Sequence, residues 1–269
     1  MAIVKGPFQI TGAVGELSFY TCKGDDRVRM RAKGGASAKK IKNNPEFASF
    51  RKQQKEWSGV SKQTAGVRMA LGDLLGVADY NLIPPLNALH NKMQKADTSA
   101  EKGRRTVCLS NYREALNGFN FNRKRILNSV LRVPVSFEFN REALEARVQL
   151  PTIHTKNELS NDAQLPYVRF VVVLGSVSDM QFDEPMLDYL PTVPALHGAT
   201  ATVYSAWMPT LGVINELDMQ VKMTAQQQKK CTDKVSLILS MGLEFGTVGI
   251  DGLPTQVKNT GCGKIIKVF

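Results

Sequence analysis

Chemistry requires reactive side chains at recurring spacings, and this 269-residue chain offers few. Its four cysteines, Cys22, Cys108, Cys231 and Cys262, are scattered. None lies within four residues of another, so no CxxC-type metal or redox pair exists. That pattern predicts free thiols in a reducing compartment. His90, His154 and His197 are equally dispersed and read as surface or core residues, not ligands. Gly12-Ala13-Val14-Gly15 and Gly34-Gly35 match neither a phosphate-binding loop nor a dinucleotide fingerprint, so they read as turn glycines. The carboxylate pairs Glu142/Glu145 and Asp183/Glu184 have no histidine, arginine clamp or nucleophile beside them and read as solvated surface. The expectation is a non-enzymatic protein without cofactor, metal or small-molecule substrate.

Charge is more informative. The net charge is +11, and it divides unevenly: residues 1–132 carry +14 and residues 133–269 carry −3. The basic residues cluster as Arg27/Arg29/Arg31/Lys33, Lys39/Lys40/Lys42, Arg51/Lys52/Lys55, Arg104/Arg105 and Arg123/Lys124/Arg125. A chain polarised this way invites an anionic partner for its first part, or head-to-tail contact between copies. Arg27, Arg29, Arg31, Lys33, Lys39, Lys40 and Lys42 are the candidate contact residues, either for a neighbouring subunit or for phosphates. Only Tyr20 shares the face of the arginine cluster, so base stacking is weakly supported. No RRM, KH, zinc-finger or helix-turn-helix signature is present.

The elements that must position these residues follow from periodicity. Leu17, Phe19 and Thr21 alternate with Ser18, Tyr20 and Cys22. Gly24-Asp25-Asp26-Arg27 supplies turn chemistry, and Val28–Arg31 alternates again. This predicts a hairpin with Arg27, Arg29 and Arg31 on one face and Val28 and Met30 on the other. Residues 32–43 are small and basic and read as a linker or arm. Asn44-Pro45-Glu46 is a helix start. From Phe47 to Leu74 apolar residues recur every three or four positions, with a break expected near Ser58-Gly59. Small residues along this stripe, Gly59 and Gly66 among them, would let two helices approach closely. Pro84-Pro85 opens a second helix, and further helical candidates lie around 111–117 and 122–131.

From Val133 the period changes to two, with strand candidates at 133–139, 146–150, 167–173, 200–207, 235–245 and 264–268. The absence of βαβ alternation disfavours a nucleotide-binding sheet. The expected fold is α+β: a basic hairpin, arm and helical domain over 1–132, then an antiparallel Ig-like β-sandwich over 133–269. The last strand ends on Phe269, so the terminus is expected to be buried or paired. The longest apolar run, Phe170 to Leu174, is far short of a membrane span, and Met1–Pro7 has no apolar signal-peptide segment, so a cytoplasmic protein is expected.

Three motifs together resemble an uncharacterised bacterial family, a domain of unknown function. They are the glycine-punctuated hairpin GAVGELSFY…RVRMRAKGG, the helix start NNPEFASFRKQQKEW, and the closing strands MGLEFGTV and GKIIKVF. The chain departs from that pattern at Glu56-Trp57-Ser58-Gly59, where members often have an acidic–aromatic–glycine triplet. The resemblance implies no enzyme activity and no catalytic residue. The reading is a self-assembling structural subunit of a filament, tube or shell, whose partner is itself. The alternative is a nucleic-acid-associated or phage-like packaging protein.

Overall fold

In a computed structural model that describes residues 2–4, 10–22 and 25–269, the alternating stretch around Tyr20 forms an antiparallel sheet. Its strands are β1 (Ala2–Val4), β2 (Gly12–Val14), β3 (Leu17–Cys22) and β4 (Asp25–Ala32), in the order β1-β4-β3-β2. Of the expected turn Gly24–Arg27, Gly24 lies outside the described residues, and Asp25, Asp26 and Arg27 belong to strand β4 instead. Gly15, at φ 53°, sits in the left-handed region that the two-residue turn between β2 and β3 requires. The stretch expected to be a linker holds a short helix, α1 (Ala38–Asn43). The reason is a cap: the Ser37 hydroxyl accepts the Lys40 amide at 3.2 Å.

The chain divides into two compact units, Met1–Arg51 and Lys52–Phe269. Val133, where the hydrophobic period changes, lies inside the second unit, because the helices before it and the strands after it share a core.

Helix α2 (Ala48–Ala70) is continuous, with no break at Ser58-Gly59. Helix α3 (Ile83–Ala96) begins with prolines in its first turn, where their missing amides leave no hydrogen bond unmade. The candidates at 111–117 and 122–131 shrink to 3₁₀ turns and one turn of helix, Leu127–Val130. Then come strands β5 (Ser136–Asn140), β6 (Glu145–Leu150), β7 (Tyr167–Ser178), β8 (Met180–Asp183), β9 (Asp188–Pro191), β10 (Ala199–Tyr204), β11 (Leu217–Lys222), β12 (Val235–Val248), β13 (Pro254–Gln256) and β14 (Cys262–Val268). The hairpin β8–β9 and strands β11 and β13 were not legible as strands.

Strands β10, β7, β12, β13 and β14 and the short pairing segment Met208–Pro209 make a central antiparallel sheet. Both of its faces are buried, which explains why Phe170–Leu174 reads as a continuous apolar run and not as an alternation. On one face Phe170, Val172, Leu174, Leu237, Leu239 and Met241 share a core with the three-stranded sheet β11-β6-β5, through Ala146, Val148 and Val221, in a sandwich-like arrangement. On the other face Val171, Val173 and Ile238 pack with Val60, Val67 and Ala70 of α2 and Leu86 of α3. The chain is thus α+β, and the C-terminus is paired: Phe269 exchanges both backbone hydrogen bonds with Leu237 and stacks on Phe139 with ring centroids 3.8 Å apart. No helix among the described residues is long and apolar enough to cross a membrane.

The small residues of α2 serve a helix–sheet contact and not the helix–helix contact expected. A Cβ at Gly59 would lie 2.6 Å from the Tyr189 ring, one at Gly66 would lie 2.2 Å from His197 Nε2, and one on the sheet at Gly175 would lie 2.0 Å from the Ala70 carbonyl oxygen. Real carbon contacts are never that short, so Gly175 lets Ala70 ride directly on the sheet, while Gly59 and Gly66 admit the Tyr189 and His197 side chains against α2. Between α2 and α3, His90 is fully buried, with Nδ1 2.8 Å from the Thr64 hydroxyl. Burial, helped by His197, depresses its pKa to about 4.

Two outcomes follow. Gly66→Ala lowers stability by about 1–3 kcal/mol, whereas Gly76→Ala, on open surface, is neutral or stabilising by about 0.4–1 kcal/mol; paired chemical denaturation measures both. His90 binds its proton more weakly folded than unfolded, so its contribution is fully present above pH 6.5. It is lost as pH falls from 6.5 through about 4, by roughly 3 kcal/mol in total. His90→Gln flattens that part of the stability–pH curve.

Candidate subunit or nucleic-acid interface

The candidate contact residues Arg27, Arg29, Arg31, Lys33, Lys39, Lys40 and Lys42 all fall in the first unit, and the basic clusters from Lys52 onward fall in the second. Strand alternation puts Arg27, Arg29 and Arg31 of β4 on one face. Register places Tyr20 of β3 opposite Arg29 and Ser18 opposite Arg31, so both share that face. The Arg31 guanidinium lies 5.5 Å from the Tyr20 ring centroid, a cation–π contact worth about 0.5–1 kcal/mol at an exposed site. The structure therefore brings the arginine ribbon together as expected.

Lys33 is placed differently. Its Nζ donates to the Gly15 carbonyl at 2.8 Å and its amide to the Glu16 carbonyl at 2.6 Å, so it clamps the β2–β3 turn. Lys39, Lys40 and Lys42 lie exposed on α1. Arg51 closes that helix by donating from Nη1 to the carbonyls of Ile41 (2.7 Å) and Asn44 (2.9 Å).

The opposite face of this sheet is apolar. Leu17, Phe19, Val28 and Met30 lie on it by register, with Val14 of β2 opposite Leu17. Yet Val28, at 4 % exposure, is the one buried hydrophobic residue among the described side chains of the first unit. Val14 is 63 % exposed. A sheet gains independent stability by packing an apolar face against something, and here Val14 and Leu17 are exposed while Phe19 and Met30 are only half-buried.

A second cluster, which the sequence does not flag, sits in the second unit. Glu56 is buried on α2. Its carboxylate accepts Arg105 Nε and Nη2, each at 2.7 Å, and the Gly103 amide at 2.8 Å. Burial alone would raise its pKa, but the hydrogen bonds from Arg105 and Gly103 outweigh it and hold the group below its usual value. Gln94 of α3 donates to the Glu56 and Arg105 carbonyls, and the Tyr189 hydroxyl donates to the Arg105 carbonyl at 2.9 Å. Beside this knot Trp57, Lys95 and Lys102 line a cleft of about 460 Å³. A carboxylate held ionised and occupied on both oxygens is a strut that ties the loop 97–106 to α2, not a proton shuttle. Arg105 lies 49 residues from Glu56 along the chain, so no local spacing links the pair.

Cys108, Cys231 and Cys262 are free thiols, and among the described residues no three His, Cys, Asp or Glu side chains come together as a metal site. No family model, curated protein or solved structure matches the chain.

Because Val28 is the single buried hydrophobic side chain among those described in the first unit, Val28→Asp opens its sheet. Hydrogen exchange of amides in 27–32 then accelerates by at least about tenfold, consistent with loss of more than 1.4 kcal/mol, while β7 and β12 stay protected.

Proposed function

We propose that this chain is a non-enzymatic structural subunit that assembles head to tail with copies of itself into a filament, tube or shell. The observation that carries the proposal is the first unit's sheet: an apolar face on which, among the described side chains, only Val28 is buried, backed by a face of three arginines. Such an element gains its missing burial from a partner. Charge supports the same reading. The first 51 residues carry ten Lys/Arg against four Asp/Glu, while residues 133–269 are net −3. A heterologous contact of this kind generates an open polymer when its rotation does not close.

A second reading rests on the arginine ribbon itself. Arg27, Arg29 and Arg31 on one face, with exposed Lys39, Lys40 and Lys42 in the same unit, offer the charge a phosphate backbone needs. The chain would then be a nucleic-acid-associated packaging protein.

Negative-stain microscopy and sedimentation at low and high ionic strength decide between them. Self-assembly predicts particles or filaments from purified protein alone. Monodisperse monomers in every condition contradict it. The nucleic-acid reading predicts retention on heparin and DNA that weakens steeply with salt, and weakens further in Arg29→Ala/Arg31→Ala. Failure to bind at low salt removes it.

A further inference from the structure

One end of the second unit carries aliphatic side chains directed into solvent. Three segments meet there. Residues 208–216 begin with the pairing of Met208 and Pro209 to Val168 and Tyr167, at the start of β7. The β12–β13 hairpin tip, residues 248–253, leaves the same sheet end, since Gly246 pairs with Tyr167 and Val248 with Pro254. Residues 151–166 complete the group. Thr155 donates its amide to the Gly212 carbonyl at 3.1 Å and its hydroxyl to the same oxygen at 2.9 Å, and the Thr210 amide donates to the Pro166 carbonyl at 2.9 Å.

On these segments Leu211 is 89 % exposed, Leu253 is 63 % exposed, Val213 and Val248 are also exposed, and Ile250 has no cover at all. The hairpin tip is ordered by its own hydrogen bonds: Gly249 N–H to Leu253 O at 2.7 Å, Gly252 N–H to Gly249 O at 3.0 Å, and Leu253 N–H to the Asp251 carboxylate at 3.1 Å. Gly252, at φ 76°, makes the turn possible. Ile250 is thus held outward by a built turn. Five exposed aliphatics on loops at one end of the sheet present apolar surface of the kind that marks an interaction site.

The charge around the patch identifies the occupant. Asp162 is paired with Arg125 at 3.5 Å, and Lys156 and Arg132 lie beside Glu158, which leaves Glu216 and Asp251, next to Val213 and Ile250, as the acidic groups at the patch. An acidic rim repels anionic lipid and nucleic acid. It suits an apolar surface with basic residues beside it, which is what the first unit presents: Val14 and Leu17 flank the Gly15 turn that Lys33 clamps. We infer that this end of the second unit is the seat for the first unit of another copy. The inference rests on the head-to-tail reading and gives it a surface.

The test is sedimentation velocity of the full chain at several concentrations, comparing wild type with Leu211→Ser/Ile250→Ser/Leu253→Ser and with Glu216→Lys. Exposed substitutions of this kind shift stability little, and thermal melting checks that the fold is kept. The triple variant is expected to raise the dissociation constant by about tenfold or more, because three aliphatic side chains no longer become buried. Glu216→Lys weakens association at low ionic strength and has less effect at high. If wild type assembles and the triple variant assembles equally tightly, the seat lies elsewhere while self-assembly stands. If wild type is monomeric throughout, both ideas fall. Binding of wild type to neutral phosphatidylcholine vesicles through Ile250, with no self-association, also overturns the inference.

Discussion

The separation between α2 and the central sheet is the constraint on which the rest of the second unit depends. Gly175 lets the Ala70 backbone approach the central sheet directly, and Gly59 and Gly66 leave room on α2 for the side chains of Tyr189 and His197. The Tyr189 ring takes the space at Gly59, and its hydroxyl reaches the Arg105 carbonyl that the Glu56 knot positions. His197 takes the space at Gly66, with its ring nitrogens 3.3 Å from the carbonyls of Lys62 and Ser178. One close contact therefore fixes the hairpin β8–β9, the loop 97–106 and the helical layer together. It also buries the second face of β7 and β12, which is why these long strands are apolar throughout.

That economy is confined to the second unit. Its central sheet is covered twice, whereas the first unit's sheet has Val28 as its single buried hydrophobic side chain among those described. The contrast, more than the net charge, motivates the functional proposal. Positive charge on β4 makes an attractive surface for many partners, but an open apolar face beside it favours a protein surface over a phosphate backbone, because nucleic acid offers little to bury against Leu17 and Val14.

Much of this was legible in the sequence, and the failures have physical causes. Alternation located β3, β4, β5 and β6 and put Arg27, Arg29 and Arg31 on one face, since strand geometry is local, and apolar runs located β7 and β12. The helix break at Ser58-Gly59 does not occur because the tertiary contact with Tyr189 compensates glycine's poor helix propensity. The small-residue stripe was visible, but its partner was not: sequence spacing shows that a helix has a bare face, not whether a helix or a sheet fills it. The arm at 32–43 hides a helix because its Ser37 cap outweighs the composition of the stretch. Strands β8 and β9 were missed because they are four residues each and derive their order from α2. The apolar sheet end was out of reach altogether, since Leu211, Ile250 and Leu253 converge only through pairings across β7 and β12.

The central claim is that the first unit of one copy meets the second unit of another. Cross-linking a mixture of isotopically light and heavy full-length protein tests it directly, using a reagent that joins amines to carboxylates. The account predicts light–heavy links between Lys33, Lys39, Lys40 or Lys42 and Glu216 or Asp251, reduced at high ionic strength. Links confined to light–light and heavy–heavy pairs would contradict it.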